Sequence, residues 1–98
     1  MLLGVVSTPD DEPHYQLHIA RPAVIALTDL LPEKIAHAAY EFITGALLDN
    51  PRRVGKPLGP PLSPTYSTRR GDYRILYLID DVTRTVSVTA IRHRADAY

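Results

Sequence analysis

Tyr66-Ser67-Thr68-Arg69-Arg70-Gly71-Asp72-Tyr73-Arg74-Ile75-Leu76-Tyr77 reads as a β-hairpin with three arginines set into it. Gly71-Asp72 is a tight-turn signal between two strand-forming runs. Past the turn, Tyr73, Ile75, Tyr77 and Ile79 alternate with Arg74, Leu76 and Leu78, so this strand is apolar on both faces except at Arg74. Asp80-Asp81 begins a second turn. Val86, Val88 and Ala90 then alternate with Thr85, Ser87 and Thr89 in a last strand, with the even positions expected inside. The chain closes with Arg92-His93-Arg94-Ala95-Asp96-Ala97-Tyr98, which adds two arginines around a histidine and a final tyrosine. Five arginines on strands that must also build a core imply a cationic surface made to meet an anion.

Upstream, the pattern changes period. Met1 to Pro13 holds Gly4, Pro9, Pro13 and three consecutive acids, and is expected to be a flexible lead-in. Tyr15, Leu17 and Ile19 alternate with polar and small residues as a short strand. Val24, Leu27, Leu30 and Leu31 then follow helical spacing, with Pro22 suited to a first helical turn. Pro32 ends that helix, and a second runs from about Glu33 to Leu48 with Ile35, Ala39, Phe42, Ile43 and Ala46 as its apolar stripe. From Arg52 to Pro64 the chain is a loop rich in glycine and proline, exposing Arg52, Arg53 and Lys56. The order strand, helix, helix, three strands predicts an α+β fold: a small antiparallel sheet with a two-helix hairpin packed on one face.

At 98 residues the chain is one domain with one modest core. It has no cysteine, so neither disulfides nor a thiolate metal site hold it together, and with no apolar run near membrane-spanning length it reads as cytoplasmic. Its net charge of zero conceals a division. Residues 1–50 carry seven acids and two bases, while residues 51–98 carry nine bases and four acids. The basic half is the half with the arginine-bearing strands, which favours an anionic partner on that surface.

The order of elements, the Arg69-Arg70-Gly71-Asp72-Tyr73-Arg74-Ile75-Leu76-Tyr77 segment and the closing His93-Arg94-x-x-x-Tyr98 resemble the RelE/ParE superfamily of bacterial toxins, and within it the RelE branch. The resemblance covers residues 14–98. It implies the toxin of a type II toxin–antitoxin pair, held inactive by a RelB-like antitoxin, which alone would bring it to operator DNA. It further implies metal-independent cleavage of mRNA in the ribosomal A site, with the RNA 2′-hydroxyl as nucleophile and a 2′,3′-cyclic phosphate as product. Ribosome and mRNA are then partners, and no cofactor is needed. By the family pattern, Arg74 is the strand arginine, Arg92 assists the leaving group, and Tyr98 stacks on the RNA. Arg69 or Arg70 matches a further basic position. One departure is chemical: Ser67 stands where the family archetype has a lysine able to act as general base.

The residues carry part of this reading by themselves. In-line attack on a phosphodiester gathers negative charge on the non-bridging oxygens, and guanidinium groups fixed on strands meet it bidentately. Arg69, Arg74, Arg92 and Arg94 suit that task, with Arg52, Arg53, Lys56 and Arg70 as further RNA-binding candidates. One or two of Arg69, Arg74, Arg92 and Arg94 are expected instead to pair with Asp72, Asp80, Asp81 or Asp96, with Arg94 and Asp96 the first such pair. An arginine never gives up its proton in practice, whereas imidazole as a group titrates near neutral pH, so His93 is the candidate for proton transfer. Tyr98 offers a stacking face worth ~1–3 kcal/mol per base, whereas Tyr73 and Tyr77 share a face with Ile75 and are expected in the core. The four histidines lack a metal-binding spacing. Two other readings use the same fold: a ParE-like inhibitor of DNA gyrase, or a toxin weak in catalysis that acts mainly through its antitoxin.

Overall fold

Strict alternation builds the centre of the sheet, and the helices settle on the face that the alternation makes apolar. The computed structural model describes residues 14–93. Its strands are β1 (Gln16–Ile19), β2 (Lys56–Pro57), β3 (Tyr66–Arg70), β4 (Tyr73–Asp80) and β5 (Thr85–His93), in the spatial order β1-β5-β4-β3-β2. Its helices are α1 (Arg21–Ile25) and α2 (Glu33–Phe42), each running on into one wider π-helical segment, Ala26–Leu30 and Ile43–Leu47. The α+β class and the helical hairpin on one face are as expected. The sheet, however, is mixed: β1 pairs parallel with β5, from Gln16 opposite Thr85 to Ile19 opposite Val88. A parallel neighbour needs a long crossover, and the two helices together with β2–β4 provide it.

The core lies between the helices and one face of β4 and β5. Tyr73, Ile75 and Tyr77 of β4 meet Val86, Val88 and Ile91 of β5, under Ala23, Ala26, Ala39, Ile43 and Leu47. Burying these apolar faces is the main stabilising term of so small a domain. The inner faces of the helices differ from the expected stripes. In the first helix Ala23 and Ala26 are buried, while Val24 and Leu30 are exposed. The small alanines allow the backbone to sit close to the sheet, Leu27 and Leu31 pack at the edge of the core as expected, and Val24 and Leu30 turn outward. In the second, Leu47 replaces Ala46, because the widened turn moves the stripe on by one residue.

A second difference is in β5. Leu76 lies opposite Ala90 but Tyr77 lies opposite Val88, so Thr89 is an extra residue, a β-bulge. Its hydroxyl donates to the Leu76 carbonyl at 3.2 Å. Before the bulge Val86 and Val88 face the helices, as the alternation predicts. After it the phase inverts, and Ile91 rather than Ala90 enters the core. Arg92 is thereby carried to the opposite, helix-free face.

Candidate RNA-binding and catalytic face

The hairpin fixes the first half of the site. Gly71 takes φ +60°, the positive value that the first position of a two-residue II′-type loop requires. That loop sets β3 against β4 so that Arg69 is directly opposite Arg74 and Ser67 directly opposite Leu76. The bulge fixes the second half, by placing Arg92 directly opposite Arg74 on the other side. Arg69, Arg74 and Arg92 therefore form one row across three adjacent strands, on the face that carries no helix. Directly opposite residues have Cβ atoms about 4.5–5.5 Å apart, and like charges so placed destabilise a sheet. Arg69 and Arg92 are exposed and form no ion pair among the described residues, while Arg74 is half-buried with its Nε enclosed. Three guanidinium groups gathered at that electrostatic cost are suited to a multiply charged anion.

The row borders a cleft. The short strand β2 pairs only with Tyr66 and Ser67, so the outer edge of β3 beyond Ser67 is uncovered. There a cleft of ≈ 400 Å³ opens, lined by Val54 to Lys56, Leu58, Ser67 to Arg70 and Arg74. Lys56 lies directly opposite Ser67 and joins the basic face. Arg53 is exposed in the loop before it.

Two candidates belong to the neighbouring row, although Arg70 also borders the cleft. Arg70 and His93 flank Tyr73 in the next cross-strand row, which faces the helices. The Arg70 guanidinium lies 4.4 Å from the centre of the Phe42 ring, a cation–π contact that holds it against α2. His93 shares the face of Ile91, because the bulge turns alternate residues to opposite sides. His93 thus stands in a cross-strand row on the opposite face of the sheet from Arg69, Arg74 and Arg92. Arg94 and Tyr98 lie outside the described residues.

Arg52, expected at the RNA surface, is held at the far end of the sheet. Its Nη1 and Nη2 donate to Asp81 at 3.0 and 2.7 Å, and the Tyr15 hydroxyl donates to the same carboxylate at 3.0 Å. Asp81 is seven residues beyond Arg74, roughly 23 Å at the rise of a strand. Hydrogen bonds from Arg52 first and Tyr15 second hold the Asp81 carboxyl below its ordinary range, and Asp81 in turn raises Arg52. Arg84, not singled out by sequence, stacks 4.2 Å from the centre of the Tyr15 ring. Arg52 stands outside the four arginines for which pairing with an aspartate is expected. No local signal marks it, since its partner is 29 residues away.

The loop that delivers Lys56 is fastened to the core. The Tyr77 hydroxyl donates to the Pro51 carbonyl at 2.6 Å, fully buried, and the Tyr66 ring stacks on Tyr77 at 5.7 Å. Burial, with Tyr66 nearby, pushes the Tyr77 phenol up to about 12. Burial also raises Tyr73, opposed by the charge of Arg70. Gly55 passes so close that a Cβ there would overlap the Tyr77 hydroxyl and lie 2.8 Å from the Ser67 carbonyl. Thr68 adds a further tie, donating to the Val54 carbonyl at 2.7 Å. Among the described residues no cluster of His, Asp and Glu is arranged to hold a metal ion, and no helix is long and apolar enough to cross a membrane.

Comparison with known proteins agrees with this architecture. Residues 23–98 match the family described as ParE toxin of type II toxin–antitoxin systems, parDE. The chain is 48% identical over 91 residues to toxin RelE of Mycobacterium tuberculosis, an alignment covering 91% of this chain and 90% of that one. It is 52% identical over 68 residues to toxin RelG of the same organism, covering 69% and 78%. The crystal structure of the RelBE2 toxin–antitoxin complex from M. tuberculosis contains a chain that superposes with a TM-score of 0.79 at 43% identity, covering 83% of this chain and 99% of that one. The isolated RelE toxin of E. coli shares the fold at a TM-score of 0.67 and 21% identity, covering 81% and 83%. With the family matched over most of its length and RelE-named relatives at near half identity, the chain belongs to the RelE/ParE superfamily of type II toxin–antitoxin toxins, on its RelE branch.

Proposed function

We propose that this protein is a ribosome-dependent mRNA endonuclease, silenced by a RelB-like antitoxin. The observation that carries the reading is the row Arg69–Arg74–Arg92, in register across three strands on the helix-free face. A scissile phosphate bound there would find its developing charge met by guanidinium groups already in place, with no reorganisation during the reaction. The row suits an RNA already extended, as mRNA is in a decoding site, because it runs straight across three strands on the helix-free face. An acidic or amphipathic antitoxin segment laid over this face would neutralise the row and block access together. A gyrase-directed toxin on the same fold has no stated need for three arginines in register with a phosphodiester, and this favours the nuclease over the ParE-like reading.

The test is cell-free translation of one defined mRNA with wild type, Arg74→Ala and Arg92→Ala, the new 5′ ends being mapped by primer extension. Cuts at A-site codons that require translating ribosomes, and that both substitutions abolish, are the expected result. Arrested synthesis on intact mRNA would move the target to another step of translation. Intact mRNA with normal synthesis would overturn the proposal and leave gyrase as the next target to assay.

A further inference from the structure

We propose that Lys56 is the proton acceptor for the attacking hydroxyl. This rests on the endonuclease reading above. Cleavage by the RNA's own 2′-oxygen requires a group that removes its proton, and the arginine row cannot supply one, because guanidinium holds its protons at any working pH. Ser67 cannot hold the proton unaided, and His93 is on the other face of the sheet. Among the residues that line the cleft beside the row, Lys56 is the one whose side chain can accept a proton and release it again.

Its placement is set by backbone pairing rather than by a loop's chance position. Lys56 lies directly opposite Ser67, and Ser67 is two residues from Arg69 on the same face of β3. Residues two apart on a strand are about 7 Å from each other, within the span of a lysine side chain and a phosphodiester that joins them. Pairing to Tyr66 and Ser67, the Tyr77–Pro51 hydrogen bond and the close passage at Gly55 all hold this short edge strand. The backbone of Lys56 is therefore tied both to the neighbouring strand and, through Pro51, to the core.

The step balances as follows. Nζ of Lys56, as the free amine, takes the proton of the 2′-hydroxyl, and the 2′-oxygen forms its bond to phosphorus. The bond from phosphorus to the 5′-oxygen breaks with its electron pair, leaving a 2′,3′-cyclic phosphate. The 5′-oxygen takes a proton from solvent water, and the Lys56 ammonium returns one to solvent.

Single-turnover cleavage of ribosome-bound mRNA by wild type, Lys56→Ala, Lys56→Arg and the double variant Lys56→Ala/Ser67→Lys tests this, with urea unfolding as the control for folding. Loss of a general base slows cleavage by roughly 10²–10⁴-fold. Lys56→Arg is expected to fall as far as Lys56→Ala, since it keeps the charge but surrenders no proton, and Ser67→Lys is expected to restore cleavage from the neighbouring strand. Full activity in Lys56→Ala, or rescue by Lys56→Arg, would overturn the assignment while leaving the endonuclease reading intact. A wild type that does not cut at all would remove both.

Discussion

The two ends of one sheet treat their arginines in opposite ways. Where β4 runs out at Asp80, Arg52 is bound to Asp81 and Arg84 lies on the Tyr15 ring, so both cations are engaged in joining separate segments. Where β4 begins, Arg69, Arg74 and Arg92 occupy consecutive positions of a single cross-strand row in which every member has the same charge. Neither arrangement follows from composition, as both draw on the same basic half of the chain. The difference teaches that an arginine's use is decided by what stands across from it. Beside a carboxylate it fastens the fold; beside another arginine it adds to a cationic row.

The largest expected effect separates the two ends directly. Arg92→Ala should lower ribosome-dependent cleavage by ~10²–10³-fold, the usual cost of removing one preorganised charge at a reacting centre. Its unfolding midpoint in urea should not fall below wild type, because Arg92 is exposed and its removal relieves repulsion from Arg74. A comparable loss on Arg52→Ala would break the comparison, because Arg52 is placed at the structural end.

Next in size are changes to the loop that joins the ends. Gly55→Ala introduces a Cβ into the Tyr77 hydroxyl, and overpacking of that kind costs ~1–3 kcal/mol in urea unfolding. Tyr77→Phe removes the donor to Pro51 and leaves that buried carbonyl without it, at a cost of about 1–2 kcal/mol. It should also change the alkaline limb. The Tyr77 phenol is pushed up to about 12 in the folded protein from an ordinary value of 10.0, so the folded state holds this proton more tightly. The stability it contributes is complete below pH 10 and declines as pH rises toward 12. Urea midpoints measured across that window should fall less steeply in Tyr77→Phe than in wild type.

The smallest effect belongs to the paired end. Asp81 is held below its ordinary 3.8, so its contribution is present above that value and is lost as pH falls through the lowered one. Arg52→Ala should flatten this acid limb in pH-dependent unfolding and leave cleavage close to wild type. The exposure of the pair keeps the change small, as is usual for surface ion pairs.

Much of the site was legible because it is local. Arg69 faces Arg74 across a two-residue turn that Gly71 announces, and a slip of one residue would send Tyr73 and Ile75 out of the core. The core tyrosines, the strand at Tyr15 and the helical hairpin were legible for the same reason: their periods are visible within ten residues. What failed was anything that depends on phase or on distant partners. Alternation through Val86 and Val88 puts Ala90 inside, but one inserted residue, Thr89, puts Ile91 there instead. Nothing in the run Thr85 to Ala90 distinguishes a bulge from a regular strand.

The sequence by itself determined the α+β class, the arginine-bearing hairpin and the inward-facing residues of β4, because each is specified by residues that are neighbours along the chain. Only the tertiary structure decided that β1 docks parallel to β5, that Arg92 completes the row while His93 turns away from it, and that Arg52 pairs with Asp81. Those outcomes come from burying one shared apolar face. The hydrophobic effect is non-directional, and it fixes which distant groups meet only once every element competes for the same core.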